Sequence, residues 1–188
     1  MSNSFYVRCQ DYLDLEAIQQ LVQRHFGQEM ELCLNRGDRD YGGLFYIKGQ
    51  STCGVEVCKE DDDLVVRLPL LADYADFFLA KLFLDIFHQF LGEDVRQEDG
   101  QVVEVRDYFS DETIQQLRDQ DSRSFGLMLK DAAHDITISG VVRQVCFGRQ
   151  EAEYFSQCQL DPTELTQRLT SFIGGMQWGD SEVAPEGE

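Results

Sequence analysis

The sequence predicts an α+β protein built from two tandem copies of one unit, each with the element order β-α-β-β-β-β-α. Three observations predict this fold class: alternating runs typical of strands, apolar residues at helical spacing behind capping residues, and one internal sequence match. The 188 residues are 43% hydrophobic and 11% aromatic, enough apolar side chains for a core. We expect the units to span residues 1–95 and 96–177, followed by a disordered acidic tail at 178–188.

The internal match joins two expected helix starts. DYLDLEAIQQL (11–21) and DYFSDETIQQL (107–117) align without gaps, with seven of eleven positions identical. Asp14 and Ser110 are the expected N-caps of the two helices, because short polar side chains accept hydrogen bonds from the first backbone N–H groups. The alternative is a match confined to one helix in each half of an ordinary α+β fold.

Alternating apolar and polar residues predict five strands in each half. They cover residues 4–10, 30–35, 44–49, 53–58 and 64–71, and then 101–106, 126–131, 135–140, 142–148 and 151–160. Each half ends in a helix, capped by Asp73 in the first and by Asp161 in the second. Two such units would form one continuous, mostly antiparallel sheet with the helices on one face. This element order resembles the tandem saddle of the TATA-binding protein family, in topology only and without any of its motifs.

The charge balance restricts the classes of partner. Thirty-five acidic and 16 basic residues give a net charge of −19, divided almost evenly between the two expected units. Nucleic-acid phosphates and anionic membranes both require clustered Lys and Arg, so neither is expected to bind directly. The first residues carry no visible signal peptide, no run is long enough to span a bilayer, and cysteines are few. We therefore expect a reduced, cytoplasmic protein.

The familiar catalytic spacings are absent from the sequence. It contains no phosphate-binding loop, dinucleotide fingerprint, zinc-protease motif or nucleophile elbow. The three histidines lie in different expected elements, and the cysteines lack the short spacing of a zinc site. We therefore assign no catalytic residue, no cofactor-binding residue and no metal ligand.

Two charged features are candidates for binding a partner. The acidic run Glu60, Asp61, Asp62 and Asp63 joins two expected strands as a charged hairpin turn. Asp85 and His88 lie three residues apart on the polar stripe of a Phe-rich helix, 74–91. The alternative for both features is a solvated surface without a partner. The helix itself is expected either to pack centrally or to form a homodimer through its Phe-rich face.

These features favour a non-catalytic acidic module that binds or neutralises a basic protein partner. Immunity proteins or inhibitors, DNA mimics and secretion chaperones are the versions that fit, because charge complementarity speeds association and excludes wrong partners. The alternative is an enzyme or small-ligand-binding protein with its site in the groove between the repeats. That site would combine Asp85 and His88 with Tyr12 and Tyr108.

Overall fold

The structure is a computed structural model that describes most of the chain. The described residues are 3–11, 14–26, 30–36, 42–132, 134–157 and 161–179. Tyr12 and the expected tail residues 180–188 lie outside them.

The described residues form strands and helices in the following order. They are β1 (Asn3–Arg8), α1 (Leu15–Phe26), β2 (Leu32–Asn35), β3 (Gly42–Ile47), β4 (Val55–Glu60), β5 (Asp63–Leu68), α2 (Tyr74–Leu91), β6 (Val95–Gln97), α3 (Val105–Tyr108), α4 (Asp111–Asp131), β7 (Ile136–Ser139), β8 (Gln144–Phe147), α5 (Arg149–Gln157) and α6 (Pro162–Trp178). The predicted α+β class is thereby confirmed.

The first six strands form one antiparallel sheet. Its order is β2-β3-β4-β5-β1-β6, so β1 lies between β5 and β6 although it comes first in the chain. The register places Phe5 opposite Val66, and Val66 opposite Val57. These three side chains are fully buried and belong to one apolar core. Alternation along β1 directs one of its faces towards this core, whereas in β5 the consecutive residues Leu64, Val65 and Val66 are all buried.

Helix α2 is the central helix of this core. It begins at an N-cap, Asp73, whose carboxyl oxygen accepts the backbone N–H of Asp76, and it ends at Gly92 in the left-handed conformation. Eight of its residues are buried, and the ring of Phe83 lies 4.9 Å from that of Phe45 on β3. Phe90, in contrast, is 66% exposed. Helix α2 thus packs on the sheet, and a homodimer through it remains a prediction.

A second apolar core lies among the elements that follow residue 110. The rings of Phe125, Phe155 and Phe172 each lie within 6.0 Å of the ring of Phe147. These side chains come from α4, α5, α6 and the β7–β8 hairpin, which forms a separate two-stranded sheet. Leu71, in the connection between β5 and α2, also belongs to this core.

Three strand predictions in the second half are wrong. Of residues 101–106, Val102 forms one isolated bridge and the last two begin α3. Residues 126–131 are the end of α4, and residues 149–157 are the helix α5. In α4 the buried residues include Ser122, Phe125 and Leu129, which follow helical spacing, whereas Leu127 is exposed. Because Leu127 is apolar although it is exposed, GLMLKD resembled the alternating pattern of a strand.

The second half is also organised differently from the first. Residues 101–103 return along β6, with Val103 N–H donating to the carbonyl of Val95, and a short helix follows at α3. The tandem repeat and the order of the TATA-binding protein family are not confirmed. The sequence match does mark two helix starts, because Asp14 and Ser110 both cap helices as predicted.

The end of α6 is tied to the six-stranded sheet. The indole N–H of Trp178 donates to the carbonyl of Ser51 at 2.8 Å, and its ring lies 6.2 Å from the ring of Tyr46 on β3. Trp178, which we expected in the disordered tail, is therefore the anchored last residue of a helix.

Candidate partner-binding site

The predicted acidic hairpin is present between β4 and β5. Glu60 and Asp63 face each other in the antiparallel register, and Asp61 and Asp62 form the turn between them. Asp61 has a φ of 48°, a conformation that Asp tolerates better than most residues. Both turn residues are exposed. The hairpin therefore holds two carboxylates out from the end of the sheet.

The two outer members of the run have a different role. Glu60 forms an ion pair with Arg67 at 2.5 Å, and Asp63 forms one with Arg96 at 2.7 Å. Arg67 comes from β5, the strand next to β4, and Arg96 comes from β6, which β1 separates from β5. Glu60 and Asp63 therefore fix the hairpin to the sheet, whereas Asp61 and Asp62 carry its outward charge.

Further carboxylates lie at the same end of the sheet. The N–H of Cys9 donates to the carbonyl of Asp62, so the chain after β1 runs beside the hairpin turn. Residues 8–11 line one depression together with Leu91 and Glu93 from the end of α2. Val7 pairs with Val95, which brings Asp94 alongside the end of β1.

We call this surface the acidic end, defined by the exposed residues Asp11, Asp61, Asp62, Glu93 and Asp94. Within the described part of the chain, none of these five carboxylates is in an ion pair. Two basic residues lie beside them: Arg8 lines the same depression, and the ammonium group of Lys59 donates to the carbonyl of Asp61. The acidic end therefore presents a net negative surface on strands that pack against the first core.

Asp85 and His88 have different partners in the structure. Asp85 forms an ion pair with Lys81 one turn earlier on α2. The Nδ1 atom of His88 lies 2.7 Å from the carbonyl oxygen of Glu93, which places His88 at the margin of the acidic end. The predicted residues thus form one surface only in part.

The alternative site in a groove between repeats stays a prediction, because Tyr12 lies outside the described residues. Tyr108 packs edge-on against Phe5 with ring centroids 5.1 Å apart, inside the first core. None of the contacts in the described residues joins it to Asp85 or His88. The same residues contain no cluster of three or more His, Cys, Asp or Glu arranged to hold a metal ion, and no helix among them is long and apolar enough to cross a membrane.

Sequence reasoning missed Asp11, Glu93 and Asp94. Asp11 follows β1 and the other two follow the Gly92 cap, so each lies just outside an expected element. The signal that would have found them is the position of β1 between β5 and β6. That order depends on pairing between distant segments and not on any local pattern.

A buried polar cluster joins α2 to the loop between β3 and β4. The Asp76 side chain is completely buried, and its Oδ1 accepts the N–H of Gly54. Its Oδ2 accepts the N–H of Cys53 and the hydroxyl of Thr52, as well as the N–H of Asp73. Burial, followed by the charge of Asp76, raises the pKa of the Cys53 thiol. This thiol is therefore protonated at neutral pH and unsuited to nucleophilic chemistry.

Asp73 makes the stability of this cluster depend on pH. Burial and then the charge of Asp76 raise the pKa of Asp73 to about 8, against 3.8 for a free aspartate. The folded state therefore holds this proton between about pH 4 and pH 8, where the unfolded chain releases it. The free energy of unfolding falls as the pH rises through that window.

We expect the free energy of unfolding of Asp73→Asn not to fall between pH 4 and pH 8, because asparagine caps a helix as well as aspartate does and cannot ionise. At pH 8.5 the variant should have a larger free energy of unfolding than the wild type, and at pH 4 the two should be equal. Urea unfolding across this pH range measures the difference. Parallel pH profiles for the two proteins would contradict the assignment.

The fold and the site define a small α+β protein with an exposed acidic surface at one end of an antiparallel sheet. The chain belongs to the family described as "Domain of unknown function (DUF4299)", whose model matches residues 2–178. No curated protein matches the chain, and no solved structure matches it.

Proposed function

We propose that this chain is a non-catalytic protein-binding module whose acidic end binds a basic protein. The observation that carries the proposal is the group of five exposed carboxylates without ion pairs among the described residues. Charges left without a partner on a folded protein are available to a complementary surface. They raise the rate of association and disfavour partners of the same sign.

The acidic end is also preorganised for binding. The pairs of Glu60 with Arg67 and of Asp63 with Arg96 hold both sides of the hairpin. The hydrogen bond from Cys9 to Asp62 connects the turn to the segment after β1. A surface that is fixed before binding loses less conformational entropy in the complex. The remaining negative charge is therefore presented in a defined geometry.

The partner that fits is a protein with a basic surface. An inhibitor or immunity protein, a DNA mimic and a secretion chaperone all bind through such complementarity. A cytoplasmic location suits each of them. The described cysteines, Cys9, Cys33, Cys53, Cys58 and Cys146, are all free thiols, as is usual in a reducing compartment.

Neutralising the hairpin turn tests the proposal. Asp61→Asn with Asp62→Asn removes two charges, and asparagine tolerates the positive φ at residue 61. The control is Glu98→Gln with Asp131→Asn, two exposed residues outside the acidic end that give the same change in net charge. The hairpin double variant, the control double variant and the wild type are each used to capture proteins from a lysate of the native cell. Quantitative mass spectrometry identifies the captured proteins.

We expect the wild type and the control to retain a basic protein that the hairpin double loses. With that protein purified, the hairpin double should associate more slowly and with a weaker dependence on salt. A partner bound equally by both doubles would remove the acidic end from the interface. Capture of no basic protein by the wild type would contradict the proposed function.

A further inference from the structure

Both edges of the six-stranded sheet are partly covered by the chain itself. At β2, Gln23 Oε1 accepts the N–H of Leu32, and Gln19 Nε2 donates to its carbonyl. At β6, the returning residues 101–103 supply the partners, with Gln97 N–H donating to the carbonyl of Gln101. Open edges invite pairing with other chains, and here side chains and a short return occupy them.

The outer edge of β7 is not covered in this way. The N–H of Gly140 donates to the carbonyl of Arg143. This bond determines which residues of β7 direct their backbone groups towards β8 and which direct them outward. Ile136 and Ile138 then bond to β8, while the N–H and C=O groups of Thr137 and Ser139 point away from it. Among the described residues these four backbone groups have no hydrogen-bond partner. The edge is therefore able to accept another strand.

The residues of β7 lack the usual protection of an edge strand. The stretch ITISGVV (136–142) contains no charge and no proline, in a chain with a net charge of −19. Its side chains alternate cleanly. Ile136 and Ile138 are half-buried against the second core, and Thr137 and Ser139 are exposed on the other face. An added strand with the same alternation would cover the two isoleucines.

We propose that β7 pairs antiparallel with β7 of a second copy of the chain, giving a four-stranded sheet in the order β8-β7-β7-β8. The alternation is self-complementary, so a two-fold axis brings isoleucines beside isoleucines and hydroxyls beside hydroxyls. Two molecules that each carry −19 repel over most of their surfaces, and this repulsion is weakest where the uncharged edge of one meets the same edge of the other.

Sedimentation equilibrium of the full chain over a concentration series tests the pairing. Thr137→Pro removes an outward N–H and leaves the hydrogen bonds to β8 in place. Ser139→Lys adds a charge on the same edge and serves if the proline variant is not folded by circular dichroism. Thr137→Val is the matched control, because it keeps the backbone donor and the branched shape.

We expect a reversible wild-type dimer whose affinity falls at least about tenfold in Thr137→Pro and Ser139→Lys, and is unchanged in Thr137→Val. Higher salt should strengthen the dimer, because it screens the repulsion between two acidic molecules. A wild type that stays monomeric at the highest concentration would overturn the proposal. The proposal would also be overturned if Phe78→Lys on α2 weakened the dimer while neither edge variant did.

Discussion

Asp76→Ala is expected to destabilise the protein by about 4 kcal/mol, which lowers the melting temperature by roughly 8–16 °C. The carboxyl group of Asp76 accepts four hydrogen bonds, three of them from the loop at residues 52–54. Alanine would leave the N–H groups of Cys53 and Gly54 buried without acceptors, and such groups each cost about 1–3 kcal/mol. The loop would also lose its connection to α2.

Asp85→Ala is the matched control for this prediction. Asp85 lies on the same helix, but its partially exposed side chain forms a surface ion pair with Lys81. We expect a change of about 0.5 kcal/mol or less, because exposed pairs contribute little. Thermal and urea unfolding of both variants measure the contrast. Equal losses in the two variants would show that the Asp76 hydrogen bonds contribute no more than a surface pair.

Local chemistry explains what the sequence could predict about the fold. The four expected N-caps, Asp14, Asp73, Ser110 and Asp161, all accept backbone hydrogen bonds at the starts of helices. A cap acts over three or four residues, so it can be recognised without knowledge of the fold. Strand β1 was recognised similarly, because one buried face imposes alternation, whereas β5 was recognised as a short apolar run.

Tertiary context explains what was missed. In α5 the apolar residues Tyr154 and Phe155 are adjacent, and Phe155 is buried while Tyr154 is exposed. A pattern that places apolar residues on both sides of an element cannot separate a short helix from a strand. The burial of Phe155 depends on Phe147 and Phe172, which come from other elements.

In the candidate site, too, local features could be predicted from the sequence and contacts between distant segments could not. The acidic hairpin was visible as four consecutive residues, and its turn geometry followed from its position between two strands. The structure adds that Glu60 and Asp63 are held by arginines and that Asp11, Glu93 and Asp94 join the turn residues. Ion pairs and neighbours from distant segments depend on register, which composition and local pattern do not contain.

Phe147→Ala is expected to destabilise the protein by about 3–5 kcal/mol. Phe147 is fully buried, and three aromatic rings surround it at centroid distances between 4.9 and 6.0 Å. Alanine would leave a cavity that rigid rings from three helices cannot fill. Urea unfolding gives the loss in free energy, and amide hydrogen exchange shows where it falls.

Phe90→Ala makes the same chemical change at a site that is 66% exposed, and we expect it to alter stability by about 0.5 kcal/mol or less. Because Phe147 belongs to the second core and the six-stranded sheet to the first, Phe147→Ala should lower exchange protection more in α4, α5 and α6 than in β4 and β5. Equal loss of protection in both sets would mean instead that the Trp178 anchor and the hydrogen bond from the N–H of Val141 to the carbonyl of Thr52 couple the two cores into one cooperative unit. The difference in protection between the two sets therefore measures how strongly these polar contacts join two apolar clusters that share no side chains.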